Sequence, residues 1–341
     1  MSGFGGDSAD RLRFRLNRLG LSREAVEAAW PRWWSDDADD SPSARAELRL
    51  GIARRLGFDP RSLLDDAEEP RFLWQEEARF KHLANEGELE LAGITSFGRA
   101  VSTLLIQAST PPAGSIAGIS AQSLRQQIIG SGRPYVDLLD LLAVSWAVGI
   151  PVIHLRVFPW PQKRMAAMTV RLGDRWAILL GKEAQYPAPI AFYLAHELAH
   201  IALGHVEVDR LIVDMDDQED QARTNQEDDE ESAADAFALE LLTGEPHPKV
   251  LPESGASAQE LARVARAAAD DLQIEPGILA QCFGHSTGKW HIVGASLKLI
   301  YGAGAPVSVE VNRTARSQLN LDELSGDAVE FLGAVLGPVA E

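Results

Sequence analysis

Residues 190–205 are a mainly apolar run that nevertheless contains three histidines and one glutamate. Pro187 and Pro189 suit the approach and first turn of a helix, and Gly204 can end one. A helix this apolar is buried, and burying imidazoles and a carboxylate without partners costs free energy. We therefore predict a buried helix here, with a partner for each of its polar side chains.

His196, Glu197 and His200 form the pattern H-E-x-x-H within this run. On a helix, positions i and i+4 lie on the same face, so the two imidazoles can converge on one metal ion. Glu197 lies one step round the helix, where its carboxylate can reach a water on that metal. The pattern arises by chance in about one chain in a hundred of this length and composition, so a hydrogen-bonded pair of core histidines is the alternative.

A catalytic zinc site needs a third protein ligand. His205 is the nearest candidate, but the metzincin spacing H-E-x-x-H-x-x-G-x-x-H places the third histidine at position 206, which is a valine. We expect His205 to lie at the end of the helix, where it faces solvent or caps carbonyl groups.

A second predicted helix, residues 227–242, offers a better third ligand. Glu231 and Asp235 are four residues apart and flank its apolar stripe, so both can point at the same partner. This arrangement is similar to that of gluzincins, in which a glutamate binds the metal and an aspartate four residues later orients a ligand imidazole. Glu230 is the alternative ligand, because a predicted helix register is uncertain by one residue.

Together the two helices resemble the ImmA/IrrE family of metallopeptidases. The resemblance covers residues 150–245 and rests on H-E-x-x-H at 196–200 followed by E-x-x-A-D-x-F-A-x-x-L-L at 231–242. It implies that His196, His200 and Glu231 bind Zn²⁺ and that Glu197 is the general base. It also implies the substrate, an Xre-family helix-turn-helix repressor that is cleaved in a stress-response or mobile-element circuit.

The rest of the chain predicts an α+β fold that is predominantly helical. We divide it into a helical domain at 1–68, a helical scaffold at 69–148, a gluzincin-like zinc peptidase core at 149–256 and a mainly helical region at 257–341. Residues 150–158, 165–172 and 175–180 are predicted strands of a small three-stranded, antiparallel-type sheet whose edge could hold an extended peptide beside the metal. The turn dipeptide Gly173-Asp174 predicts a tight hairpin between the last two strands. Residues 72–83 are predicted to be helical and residues 307–311 a short strand. Residues 214–220 are predicted to be an acidic surface loop, with cation binding or exclusion of acidic peptides as the alternatives.

Residues 8–66 resemble an Xre-type helix-turn-helix domain, with Ser22 as a predicted helix cap and a matching ending at residues 52–64. The position of the recognition helix departs from that pattern, because residues 30–40 contain three tryptophans, a proline and four aspartates. Aspartates repel phosphates. We interpret this region as a degenerate helix-turn-helix domain used for packing or protein contact, with DNA binding as the alternative.

Composition restricts the class of protein further. The net charge of −18 over 341 residues argues against a broad phosphate-binding surface, so direct nucleic-acid binding is not expected. The sequence contains neither a signal peptide nor an apolar run of the roughly 20 residues that span a membrane.

The single cysteine, Cys282, excludes an intramolecular disulfide, and we expect a cytoplasmic protein. Cys282 is either a small buried hydrophobe or a thiolate that holds zinc in a latent state.

The sequence thus predicts a zinc metalloendopeptidase of the hydrolase class. The residue that stabilises the oxyanion stays open among Tyr186, Tyr193, His205, His285 and His291. A non-catalytic regulatory module that binds DNA or protein and has a sensing or vestigial zinc site is the alternative function.

Overall fold

The computed structural model describes residues 8–65, 67–74, 78–81, 87–112, 114–161, 165–215, 225–248 and 257–338. These residues form many helices around one small mixed sheet, so the prediction of a predominantly helical α+β fold is confirmed. The division of the chain into four segments stays a prediction.

Four short helices form the N-terminal region. They are α1 (Ala9–Arg18), α2 (Arg23–Ala29), α3 (Pro42–Leu56) and α4 (Pro60–Leu64), with a 3-10 turn at Asp36–Asp40. Each helix begins after a polar residue whose side chain accepts a hydrogen bond from a backbone N–H of the first turn, namely Ser8, Ser22, Ser41 and Asp59. These caps determine where the helices begin.

The central part of the chain contains the sheet and the helices that cover it. In chain order these elements are β1 (Ala78–Lys81), α5 (Glu88–Ala108), α6 (Ala121–Gly130), α7 (Leu138–Ala147), β2 (Val152–His154), β3 (Met165–Leu172), β4 (Arg175–Leu180), α8 (Pro187–Leu203), β5 (Leu211–Met215) and α9 (Asn225–Thr243). The C-terminal part adds α10 (Ala258–Leu272), α11 (Pro276–Thr287), α12 (Trp290–Tyr301), α13 (Val307–Gln318) and α14 (Gly326–Leu336), with a 3-10 turn at Leu321–Glu323.

The sheet has five strands in the order β1-β5-β3-β4-β2. The predicted hairpin of β3 and β4 is confirmed as an antiparallel pair, and β3 is also antiparallel to β5. The outer strands β1 and β2 pair in parallel with β5 and β4. The predicted sheet therefore had too few strands, and it lacked the parallel pairs. One reason is that pairing with β3 makes a strand of residues 211–215, which were predicted in part as an acidic loop.

Side-chain alternation along β3 divides the core between the two faces of the sheet. Met168 and Val170 pack into a core shared with the N-terminal helices, α5 and α14. Ala167, from the opposite face, belongs to a second core that includes α6 to α13. Thr169 points to the same side as Ala167, where its hydroxyl meets Glu197 of α8. The sheet thus places α8 over one face and the N-terminal helices beneath the other.

The sequence analysis expected no apolar run of membrane-spanning length, but helix α5 is the one helix among the described residues that is long and apolar enough to cross a membrane. Most of its apolar stretch, 61%, is buried inside the protein. Gly98 lies so close to the sheet that a Cβ atom there would be 2.3 Å from Sδ of Met168. The helix is therefore packed as a core helix.

Two further sequence predictions were wrong. The described part of residues 72–83 contains a bridge between Phe58 and Phe72 and the strand β1 rather than a helix. Residues 307–311 begin α13 instead of forming a strand. The apolar residues there also recur with helical spacing, since Val307, Val311 and Ala315 are buried while Val309 is 43% exposed.

The N-terminal region uses its arginines for packing. Arg15 donates to the backbone carbonyls of Ser62, Asp65 and Glu68, and Arg55 pairs with Asp327 of α14 at 2.7 Å. These guanidinium groups hold α1 and α3 against other parts of the chain. The degenerate helix-turn-helix interpretation, with no direct nucleic-acid binding, stays a prediction.

Gly57 fixes the contact between α3 and α5 and gives a stability prediction. It ends α3 with φ +76°, and a Cβ atom there would lie 2.4 Å from the carbonyl oxygen of Ser96 in α5. We expect Gly57→Ala to lower the free energy of unfolding by more than the 1–2 kcal/mol or so that left-handed backbone costs an ordinary residue. Urea unfolding followed by circular dichroism measures this.

Gly51 is the matched control, because it lies inside the same helix and its Cβ would meet nothing closer than 3.6 Å. Gly51→Ala is expected to stabilise the chain by about 0.5–1 kcal/mol through helix propensity alone. Equal stability of the two variants would contradict the proposed contact.

Candidate metal centre

Helix α8 carries the first part of the site. It begins with proline in its first turn and ends at Gly204, whose φ of +76° closes the helix. His196, Glu197 and His200 are 6%, 0% and 0% exposed, as the apolar run predicted. Nε2 of His196 and Nε2 of His200 lie 3.0 Å apart, so the two imidazoles converge on one point.

Helix α9 packs against α8 and brings a carboxylate to that point. Oε2 of Glu231 lies 3.3 Å from Nε2 of His196, and Oε1 of Glu231 lies 3.6 Å from Nε2 of His200. Glu231 is 8% exposed. Glu230, the alternative given by the sequence, is not part of the cluster of donor groups found among the described residues.

Asp214 is a fourth donor, which the sequence analysis placed only at the start of an acidic surface loop and not among the ligands of this site. It lies near the end of β5, and its Oδ2 is 3.5 Å from Nε2 of His196. One ligand atom each from His196, His200, Asp214 and Glu231 lies within 4.8 Å of all the others. The one sequence feature that pointed to Asp214 was its place directly after the apolar residues 211–213. It indicated a ligand only after the structure showed that these residues form a strand beside α8.

The four donors suit a small divalent cation. Two ligands held about 2.0–2.1 Å from a tetrahedral ion lie about 3.3 Å apart, and the measured separations of 3.0–3.6 Å bracket that value. Two imidazoles with two carboxylates are a donor set that zinc accepts. The separations of His196 from the other three donors, and of His200 from Glu231, therefore fit a metal ion, and all four donor atoms lie within 4.8 Å of one another.

A second layer of hydrogen bonds orients the two imidazoles. Nδ1 of His196 lies 2.9 Å from Oδ1 of Asp235, so a proton on Nδ1 is donated to the carboxylate, and Nε2 is the nitrogen that can bind a metal when its own proton leaves. Nδ1 of His200 lies 2.8 Å from Nδ1 of His205. This hydrogen bond holds the His200 ring, as Asp235 holds the ring of His196. His205 therefore lies behind a donor, although the sequence analysis placed it facing solvent or capping carbonyls.

Glu197 has its own orienting partner. The Thr169 hydroxyl, from the middle of β3, donates to Oε2 of Glu197. Thr169 and Glu197 are both completely buried, so this contact fixes the carboxylate within the protein. No feature of the sequence around Thr169 indicated this role.

The acidic groups create a field that favours a cation. Burial disfavours the charged form of His196, but Asp214, Asp235 and Glu231 outweigh that effect and raise the pKa of its imidazole to about 10. A metal ion that binds here replaces a proton, so binding is coupled to proton release.

The remaining candidate residues lie outside the donor cluster. Cys282 is buried in α11, and burial raises the pKa of its thiol to about 11, which favours the protonated hydrophobe over a thiolate ligand. The His285 ring contacts Phe192 at 5.3 Å between centroids, and Phe192 contacts His196 at 6.4 Å. His285 thus borders the site, and burial lowers the pKa of its imidazole.

Tyr186 lies elsewhere, stacked on Tyr301 with ring centroids 5.6 Å apart. Both rings line a cavity of about 460 Å³ beside the N-terminus of α8, and none of the four donor residues lines that cavity. Tyr186 is therefore a poor candidate for oxyanion stabilisation.

The expected edge strand beside the metal is not present in the described part of the sheet. Thr169 and Asp214 lie on β3 and β5, and each of these strands is paired on both sides. Neither strand can add an extended peptide by backbone pairing, and the edges belong to β1 and β2. The predicted acidic loop after Asp214, residues 216–220, lies outside the described residues.

The helix that carries H-E-x-x-H, the adjacent sheet and the carboxylate from a following helix are consistent with an α+β peptidase fold. Comparison with known proteins agrees, since residues 147–270 match the family model described as Peptidase M78, the IrrE N-terminal-like domain. The match covers 124 of the 341 residues and supports membership of this segment in the ImmA/IrrE family, as the sequence resemblance indicated. No curated protein and no solved structure matched the chain.

Proposed function

We propose that the protein is a zinc-dependent endopeptidase. The observation that carries the proposal is the convergence of His196, His200 and Glu231 from two helices, with donor atoms 3.0–3.6 Å apart, next to the buried carboxylate of Glu197. In this proposal the two histidines and Glu231 hold the ion, and Asp235 orients His196. Bound zinc would polarise the scissile carbonyl and lower the pKa of a water to about 7.

Glu197 is the proposed general base. The hydrogen bond from Thr169 fixes one of its oxygens, so the carboxylate keeps one orientation while it accepts a proton from water and passes it to the leaving amine. Among the oxyanion candidates, His205 lies behind His200, and His285 has a ring contact toward the site through Phe192. Its lowered pKa keeps the imidazole neutral at pH 7, so it would act as an N–H donor without a full charge.

The proposed substrate is a helix-turn-helix repressor of the Xre family, and the proposed location is the cytoplasm. The family resemblance is the main support. Charge adds a second argument, since a DNA-binding domain carries basic groups for phosphates and this chain has a net charge of −18. Such opposite charges accelerate encounter between enzyme and substrate.

The proposal is tested with the purified full chain and candidate repressors encoded near its gene. We expect one specific cut in one of these repressors, loss of cleavage when a chelator removes the metal, and recovery when zinc is added. A chain that binds zinc but cuts neither these repressors nor general peptides would show that the peptidase proposal is wrong.

One observation favours the alternative of a regulatory module with a sensing zinc site. Asp214 is a fourth protein donor, and structural zinc sites are closed by four protein ligands whereas catalytic sites keep one position for water or substrate. A zinc-bound chain that remains inactive toward every substrate would agree with this alternative.

A further inference from the structure

Asp214 lies among the donor atoms themselves and not behind them. Its Oδ2 is 3.5 Å from Nε2 of His196, close to the 3.3 Å of Oε2 of Glu231 from the same nitrogen. Asp235, by contrast, contacts Nδ1 on the far side of the imidazole. Distance therefore places Asp214 in the same shell as Glu231.

The sheet determines this position of Asp214. Leu211 and Val213 pack into the core on the α5 side of the sheet, so strand alternation turns Asp214 toward α8. Its neighbour across the ladder is Ala167, a small residue on the same face. Asp214 is thus presented to the histidines by a paired strand.

Regular pairing of β5 ends directly after Asp214. Ala167 pairs with Asp214, but the next partner of β5, Met215, is opposite Met165, so Ala166 is an extra residue in β3. Such a bulge interrupts the ladder and often occurs beside a functional site, where it changes the direction of a side chain. The Asp214 side chain is also 15% exposed, against 0–10% for the other three donors.

We infer that Asp214 is a displaceable fourth ligand that closes the metal centre at rest. The inference rests on the proposed function, because a peptidase needs one position that water or substrate can enter. With two carboxylate ligands, a divalent ion and its ligands have no net charge, and withdrawal of Asp214 leaves the ion and its remaining ligands with one positive charge that attracts a carbonyl oxygen. Exchange of Asp214 therefore connects a closed resting state to an open reactive one.

The inference is tested on the full chain loaded with Co²⁺, whose visible spectrum reports coordination, with azide as a probe for an open position. We expect Asp214→Asn to bind azide at least tenfold more tightly than the wild type and to bind Zn²⁺ about tenfold more weakly in a chelator competition. The charge-matched control is Glu207→Gln, on the exposed loop between α8 and β5, which should behave as the wild type does.

Three other outcomes would contradict either the role of Asp214 or the peptidase proposal. Equal azide affinity in the wild type and in Asp214→Asn would exclude Asp214 as a ligand. Complete loss of Co²⁺ from a folded Asp214→Asn chain would show that the ligand is obligatory and not displaceable. If azide binds as expected but no variant hydrolyses a peptide, the ligand inference stands and the peptidase proposal fails.

Discussion

Glu197→Gln is expected to reduce peptide hydrolysis by about 10²–10⁴-fold, the usual contribution of a positioned general base. The amide has nearly the same size as the carboxylate, so the buried position beside Thr169 remains filled and the chain folds. The amide cannot accept the proton of the attacking water. The donor atoms of His196, His200 and Glu231 are untouched, so metal content stays that of the wild type.

The measurement pairs turnover of a cleaved peptide with zinc stoichiometry of the same sample. Thr169→Val is the graded comparison, because it keeps the carboxylate and removes only the hydroxyl that orients it. We expect its loss of activity to be smaller than that of Glu197→Gln. Full activity of a zinc-loaded Glu197→Gln chain would exclude this residue as the base.

Glu231→Gln is expected to weaken zinc binding by more than the 10–100-fold or so that loss of an outer hydrogen-bond partner costs. It removes an anionic oxygen that lies 3.3 Å from Nε2 of His196 and leaves a neutral amide in a buried position. We expect the rate of peptide hydrolysis by this variant to fall in proportion to its zinc content. Excess zinc should restore part of the activity, because Glu197 remains in place.

Glu230→Gln is the matched control, since it makes the same chemical change one residue away and outside the donor cluster. Competition with a chromogenic chelator gives both affinities, and thermal unfolding shows whether each variant is folded. If Glu230→Gln loses zinc and Glu231→Gln keeps it, the structural register of α9 is wrong by one residue.

Most of the donor groups are predictable from sequence because helical spacing is local information. His196 and His200 are four residues apart, and so are Glu231 and Asp235, so each pair must share a face of its helix. The apolar residues around them predict burial on the same face. The antiparallel hairpin at 165–180 could be predicted from the sequence for the same reason, since strand alternation and the turn at Gly173 are local patterns.

Asp214, Thr169 and His205 were not predictable in their observed roles. Asp214 follows an apolar run of three residues that is too short to distinguish a strand from a loop, and only pairing with β3 made it one. Thr169 is one polar residue in a β-branched strand, and its role depends on which face of the sheet α8 covers. The same dependence on tertiary packing applies to residues 307–311, where the valines alternate as in a strand but Val307 and Val311 also have helical spacing.

The sequence by itself determined the kind of centre, namely a buried helix with two imidazoles and a carboxylate, and a second helix with an acidic pair. Those features follow from spacing along one helix, which does not depend on the rest of the chain. Only the tertiary structure decided that a strand adds Asp214 to the donors, that Thr169 orients Glu197 and that His205 lies behind His200. These contacts join residues from different elements, and their formation depends on how the sheet and helices pack.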